Sequence, residues 1–303
     1  MLPEDDLLVV GGKLANGAGR TDIDFAVVKL TSHGPVDTTF GTDGHVTLDL
    51  EQGGDSPRTA IVQPDGTNDV VTTVLFRLLP NSRFDSSFGT NGVVNVALIT
   101  SVAEAYDVAL QGQNLVIAGY GRETSTGTVD IISARFLSDG TWDKTYGNNG
   151  MAVIDVSGQD YRSRTLQILP DQGVLIVGQG KPTATTQDGA LVLLTPNGQR
   201  DTRLNGNGVA LIDLGGPTDA LFGLALSPDK TEAVAVGWKG MDADAVSPAN
   251  NDDPGSSVSP YHRHNRNELD GLSFIGSDPL YIPGGSPHAR RATGPARSIS
   301  TRT

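Results

Sequence analysis

Cysteine is absent from this 303-residue chain. Disulfide frameworks, thiolate-bound zinc and thiol catalysis are therefore excluded, while the compartment stays open. Helical periodicity is missing as well: no heptads and no long stretch of period 3.6 occur, and aromatic residues are only 5%. No apolar run approaches the roughly 20 residues that span a bilayer. The opening MLPEDDLLVV is acidic and lacks the basic start and long apolar core of a secretion signal. Positive charge is scarce too. A net charge of -13 argues against nucleic acid and anionic membrane surfaces, which are held through basic patches. The imbalance is uneven, because residues 261–303 carry six Arg against three acids, leaving -16 on residues 1–260. What is abundant is glycine, at 38 residues, with 17 Pro; this is the composition of an all-β chain with many turns.

A ten-residue phrase recurs. DTTFGTDGHV at Asp37 returns as DSSFGTNGVV at Asp85, DKTYGNNGMA at Asp143 and DTRLNGNGVA at Asp201. Residues 33–50, 81–98, 139–156 and 197–214 align without gaps, at spacings of 48, 58 and 58, and each ends in an apolar strand (HVTLDL, VVNVAL, MAVIDV, VALIDL). Three further parts follow in fixed order: a segment entering a turn (AIVQPDG, LQILPDQG, LALSPDK), a β-branched run closed by glycine (LLVVGG, NLVIAGY, VLIVGQG, AVAVGW), and another run entering a turn (DFAVVKL, DIISARFL, GALVLL). Four short strands per repeat, separated by Gly, Asn and Asp turns, predict antiparallel meanders. Such sheets bury their faces by stacking on copies of themselves. The expected fold is a β-propeller of about four or five antiparallel four-stranded blades spanning residues 1–246, with a poorly ordered low-complexity tail over 247–303. The second repeat, ten residues short and without a glycine-closed run, is expected to form a thin blade. The chain ends are expected to pair into one shared blade that closes the ring.

The phrase itself is read as the joint between sheets. Its leading Asp accepts nearby backbone N–H groups, and Gly41, Gly89 and Gly147 supply positive φ. Phe40, Phe88 and Tyr146 plug the gap between sheets, and the closing pairs ending in Gly44, Gly92 and Gly150 make tight turns. The alternative reading assigns Asp37, Asp43, Asp85, Asp143 and Asp201 to calcium, although each phrase offers few of the six to eight oxygens that calcium takes.

With its motif and period, the chain resembles the delta-60 repeat family of bacterial, mostly secreted or surface proteins. The matching positions include Asp37, Phe40, Gly41 and Gly44, then Pro64, Asp65 and Gly66, with their counterparts in later copies across about residues 5–240. The resemblance implies a propeller-like array in an extracellular or periplasmic protein and brings no catalytic residues. The fourth copy departs from it at Leu204 and Asn205, which predicts a looser joint there.

Other motifs are weaker. Ser227 and Lys230 have the SxxK spacing of serine acylases but fall at a repeat turn. Gly54-Asp55-Ser56 resembles an esterase block without its downstream partner. His262, His264 and Glu268 could ligate a metal but lie in the tail, while His33, His45 and His288 have no evident partners. Asp242 and Asp244 could join an acidic cluster. Trp142 and Trp238 sit at repeat positions suited to packing, and sugar stacking would need both exposed on one face. The leading functional reading is a non-catalytic extracytoplasmic binding or scaffold module that is monomeric and recognises a protein or glycan on a propeller face. The alternative is a propeller hydrolase of phosphate esters, carboxyl esters or glycosides, with clustered acids and calcium.

Overall fold

The computed structural model describes residues 6–240, apart from short internal stretches (15–21, 50–57, 72–73, 97, 99–101, 157, 216 and 231), and residues 271–275. Among the described residues the chain is all-β and no residue is helical. It folds into five antiparallel sheets, each a meander in chain order. The first contains β1 (Leu7–Leu14), β2 (Ile23–Leu30) and β3 (His45–Leu48). The second contains β4 (Thr59–Val62), β5 (Asn68–Val71), β6 (Val74–Leu78) and β7 (Val93–Asn95). The third contains β8 (Val102–Gln111), β9 (Asn114–Arg122), β10 (Asp130–Phe136) and β11 (Met151–Ile154), and the fourth β12 (Tyr161–Ile168), β13 (Val174–Gly180), β14 (Asp188–Leu194) and β15 (Val209–Ile212). The fifth contains β16 (Asp219–Leu226), β17 (Glu232–Lys239) and β18 (Gly271–Ile275).

Alternation along the strands sends successive residues to opposite faces, and both faces of the middle sheets are apolar. Val174, Ile176, Ala190 and Val192 of the fourth sheet pack on the third sheet, while Leu175, Val177, Leu191 and Leu193 pack on the fifth. Four apolar clusters of this kind fill the spaces between successive sheets. First strands neighbour first strands, with β8 packed on β4 and β12, and β12 on β16.

Several expectations change. The recurring phrase connects the last two strands of one sheet: β3, β7, β11 and β15 pair with the strand that precedes the phrase. The reason is local. In Thr42-Asp43-Gly44-His45 both central residues have positive φ (50° and 86°), and the Thr42 and His45 backbones bond reciprocally. That is a type I′ turn, which reverses the chain between Thr42 and His45 and delivers it into β3 alongside β2. The crossing between sheets comes after the phrase strand, as in residues 155–160 and 213–218. The phrase still touches the next sheet, because Gly89 N–H donates to Asp139 O and Gly147 N–H to Asn197 O, both at 2.8 Å. Phe40, Phe88 and Tyr146 are buried in the clusters between sheets, as expected.

The fourth copy keeps the geometry by different means. Leu204 is fully buried, and Asn205 adopts φ 51° where the others have glycine, its side-chain amide donating to Val209 O at 3.1 Å. In the second sheet, β5 fills the place of the absent glycine-closed run, and the strands are only three to five residues long. Among the described residues no strand of the first sheet pairs with the fifth, and β18, which covers most of LSFIG, one of two short stretches of the otherwise low-complexity tail with strand-like alternation, pairs with β17 instead. Three sheets are four-stranded and the two terminal ones three-stranded. The remainder of 247–303 lies outside the described residues.

Candidate functional site

Each of the first strands β8, β12 and β16 carries one extra residue. The register shifts between Ala105 and Asp107, between Ser163 and Thr165, and between Leu221 and Gly223, leaving Tyr106, Arg164 and Phe222 as the bulged residues. Facing them, the glycines that close the β-branched runs are required by close approach: a side chain on Gly119, Gly178 or Gly237 would collide with the carbonyl of Glu104, Arg162 or Ala220. Bulges re-aim side chains. Here they aim them at one another. The Arg164 guanidinium lies 4.9 Å from the Tyr106 ring centre and 5.3 Å from that of Phe222, and Arg58, at the same repeat position ahead of β4, lies 4.5 Å from Tyr106. The result is a ladder, Arg58–Tyr106–Arg164–Phe222, in which cations and ring faces alternate.

The ladder has a flank. Tyr120 of β9 stacks on Tyr106 with ring centres 5.3 Å apart, and Arg162 lies 5.1 Å over the Tyr120 ring. Burial, and then the neighbouring Tyr106, push the Tyr120 hydroxyl well above its ordinary pKa, so it stays protonated as a donor. Arg58 also pairs with Glu104 at 2.9 Å. Arg58 and Phe222 are exposed, Tyr106, Arg162 and Arg164 partly so, and the buried Arg164 Nε–H donates to no partner among the described residues. Three arginines gather here on an otherwise acidic protein.

A second arrangement is acidic. Repeat-equivalent acids flank the pairing of the last two strands in three sheets: Asp24 and Asp49 next to Phe25–Leu48, Asp130 and Asp155 next to Ile131–Ile154, and Asp188 and Asp213 next to Gly189–Ile212. Asp22, Asp24 and Asp49 bring carboxylate oxygens within 4.8 Å of one another, as do Asp188, Asp213 and Asp219. Burial, and then the neighbouring acids, push Asp130 and Asp188 up to about 6. These triads could contribute three ligands to a cation, fewer than calcium fills. Asp219 is fully buried and already accepts the Leu214 and Gly240 N–H groups at 2.7 and 3.2 Å.

The aspartates singled out from the sequence are used differently. Asp37 Oδ1 accepts the Thr39 N–H and hydroxyl, Asp85 those of Ser87 and Asp143 those of Thr145, while Asp201 accepts the Arg203 N–H and guanidinium. The Thr39 hydroxyl and the Lys29 ammonium hold Asp37 down at about 2. Asp143 bonds Arg135 Nε at 2.8 Å, and Arg135 reaches on to Pro196 O at 2.7 Å beside the fourth sheet. Arg77 likewise reaches Ser138 O beside the third sheet, so a buried arginine ties neighbouring sheets at equivalent positions. Asp43 is an exposed turn residue. These carboxylates sit in four separate loops and do not converge.

Ser227 and Lys230 form a turn, with Ser227 Oγ donating to Asp229 at 2.6 Å and Lys230 at φ 57°. His45 lies 3.0 Å from Lys13 Nζ, and His33 3.3 Å from Ser32 Oγ. Trp142 packs on Phe136 with ring centres 4.6 Å apart, whereas Trp238 is half-buried on β17. Gly54-Asp55-Ser56, Asp242, Asp244, His262, His264, Glu268 and His288 lie outside the described residues. Sequence reading missed both the ladder and the acidic pairs. Aligned as columns, the repeats show them: Arg, Tyr, Arg, Phe at 58, 106, 164 and 222, and acids at 24, 130 and 188 with 49, 155 and 213.

No family model and no curated protein matches the chain. Among solved structures it is similar to virginiamycin B lyase from Staphylococcus aureus, at a TM-score of 0.40 and 8% identity, over 77% of this chain and 68% of that one. It is also similar to an ulvan lyase of polysaccharide lyase family PL25, at a TM-score of 0.40 and 12% identity, over 79% of this chain and 65% of that one. The chain spans about two thirds of the length of either protein.

Proposed function

We propose that the sheets are blades of a propeller-like array and that the chain is a non-catalytic binding module whose ligand surface is the ladder Arg58–Tyr106–Arg164–Phe222. The stacking of successive sheets and the adjacency of their first strands support the array. The ladder carries the binding reading: ring faces stack on sugar or aromatic surfaces, arginines bond anionic groups in planar forks, and both are enriched at binding hot spots. On a chain of net charge -13, such a strip favours a ligand with negative charge and flat apolar faces, namely an acidic glycan. The delta-60 resemblance fits an extracytoplasmic setting. The hydrolase reading has less support, because the acids with raised pKa values, Asp69, Asp107, Asp130 and Asp188, are each shifted chiefly by burial and none is among the charges that shift another.

The test is titration calorimetry with uronic-acid oligosaccharides, sulfated oligosaccharides and neutral oligosaccharides of matched length. Salt-sensitive binding of the anionic sugars, weakened at least tenfold by Arg164→Met, is expected. Binding that ignores charge, or that survives Arg58→Ala and Arg164→Met together, would remove the ladder as the ligand surface.

A further inference from the structure

One carboxylate joins the residues that follow the first three rungs of the ladder. Asp107 follows Tyr106, and Thr59 and Thr165 follow Arg58 and Arg164, at equivalent repeat positions. Asp107 Oδ2 accepts the Thr165 hydroxyl at 2.5 Å and the Leu166 N–H at 2.9 Å, and Oδ1 accepts the Val108 N–H at 2.9 Å. The Thr59 hydroxyl bonds the same group. β8 and β12 are edge strands of their sheets, so alternate N–H groups point away from the neighbouring strand. Leu166 directs its N–H to Asp107, across the gap from β12 to β8. The bulge of β12 is held on its other side as well, since Ser163 Oγ donates to Gly119 O of β9 at 2.7 Å. Arg164 thus sits between two attachments to the third sheet, the sheet that carries Tyr106.

Only donors face the Asp107 carboxyl in these bonds, an arrangement suited to an ionised acceptor, although burial, the largest cause, raises its pKa. The fourth rung shows the ladder without such ties. Phe222 is flanked by Leu221 and Gly223, which offer no hydrogen-bonding side chain, and it is 46% exposed. We infer that Asp107 is the positioning residue of the ladder: through Thr59, Thr165 and Leu166 it fixes Arg58, Tyr106 and Arg164 at the spacing where rings and guanidinium groups meet. A side chain held in place beforehand loses less freedom when a ligand arrives. The affinity of the strip therefore depends on a residue that is not one of its rungs. That consequence rests on the ladder being the ligand surface.

Two readouts on the full chain test this. The first needs no ligand: the Arg164 Nε–H proton resonance, assigned by its loss in Arg164→Met, is expected upfield in the parent because aromatic rings face the guanidinium. Asp107→Asn, which leaves a single acceptor oxygen, should move it toward its position in Tyr106→Leu. The second is titration calorimetry with the uronic-acid and sulfated oligosaccharides, whose dissociation constants should rise about threefold to tenfold in Asp107→Asn. Thr165→Val, which keeps the shape and loses the hydroxyl, should shift both readouts the same way. Thr165→Ser, which keeps the hydroxyl and loses the methyl, should leave both near the parent. A role in packing alone would give the reverse order, and this pair decides the question if Asp107→Asn fails to fold. An Arg164 resonance that neither Tyr106→Leu nor Asp107→Asn moves, or a Thr165→Ser protein as altered as Thr165→Val, overturns the inference. A resonance that moves while affinity stays at the parent value overturns the dependence of binding on Asp107. A resonance that moves in a protein whose parent binds none of the sugars upholds Asp107 as the positioning residue and removes the glycan reading instead.

Discussion

Tyr106 and Arg164 stand 58 residues apart in the chain and meet ring to guanidinium at 4.9 Å, each the extra residue of a bulge in its own sheet. Because neither bulge is part of the regular ladder of backbone bonds, their contact is an energetic link between sheets separate from the apolar clusters. A double-mutant cycle with Tyr106→Leu and Arg164→Met, followed by urea unfolding, should give a coupling of about 0.5–1 kcal/mol. Additive effects would reduce the pair to mere neighbours.

The buried arginine ties should matter far more than the exposed one. Arg135 and Asp143 are both about nine-tenths buried, and Arg135 also bonds Gln111 and Pro196. Arg135→Ala strands a buried carboxylate and should cost about 3–5 kcal/mol. Arg203, half-exposed, pairs with the phrase Asp201 and with Asp171 within the fourth sheet's own loops, and Arg203→Ala should cost less than about 1 kcal/mol. Equal losses in denaturant melts would count against burial as the cause.

The phrase glycines can be tested against the copy that lacks one. Gly147 has φ 55°, and a methyl there would press on the Met151 carbonyl. Gly147→Ala should destabilise by about 1–3 kcal/mol from the backbone alone. Asn205, at φ 51° in the equivalent place, is of a residue type that tolerates this conformation, so Asn205→Gly should change stability by less than about 1 kcal/mol. A Gly147→Ala protein as stable as its parent would show that the turn relaxes freely.

Asp188 gives a pH dependence of definite sign. Its folded value of about 6 lies above the ordinary 3.8, so the folded chain holds the proton more tightly than the unfolded one. Protonation therefore stabilises the fold, and that contribution is lost as pH rises from about 4 to about 6. Asp188→Asn should melt higher than the parent at pH 7.5, by about 1 kcal/mol once solvent screening of this half-buried group is allowed for. The gap should close below pH 4. A difference that does not change with pH would exclude burial of the Asp188 carboxylate, with its repulsion from Asp213 and Asp219, as its source.

The sheets were legible because turn chemistry repeats: an Asp/Asn-Gly pair ahead of each phrase strand, and glycine after each β-branched run. The pairing partner of the phrase strand was misjudged because the phrase was read as a link forward. The positive φ values at Asp43 and Gly44 turn the chain back instead. The bulges were invisible in any single copy. Gly119 shows only that something approaches closely, and the extra residue opposite is fixed by pairing across the sheet. The ladder and the acidic pairs depend on comparing equivalent positions between copies, since Arg58 and Tyr106 are chemically unlike and share only a place. β18 carries no trace of the repeat, and its pairing with β17 comes from the open edge that β17 presents.

The Asn-Gly turns also make the molecule a clock. Asparagine before glycine ages by attack of the glycine nitrogen on the asparagine side chain, which yields isoaspartate. In the folded chain that nitrogen is engaged: Gly92 N–H bonds Phe88 O at 2.9 Å, and Gly150 and Gly208 bond Tyr146 O and Leu204 O at 2.8 Å. Folding thus restrains the reaction at Asn91, Asn149 and Asn207, and each excursion from the native hairpin releases it. Isoaspartate accumulating unequally among these three of the chain's Asn-Gly sites would record which of the three phrase hairpins in an ageing sample had opened most often.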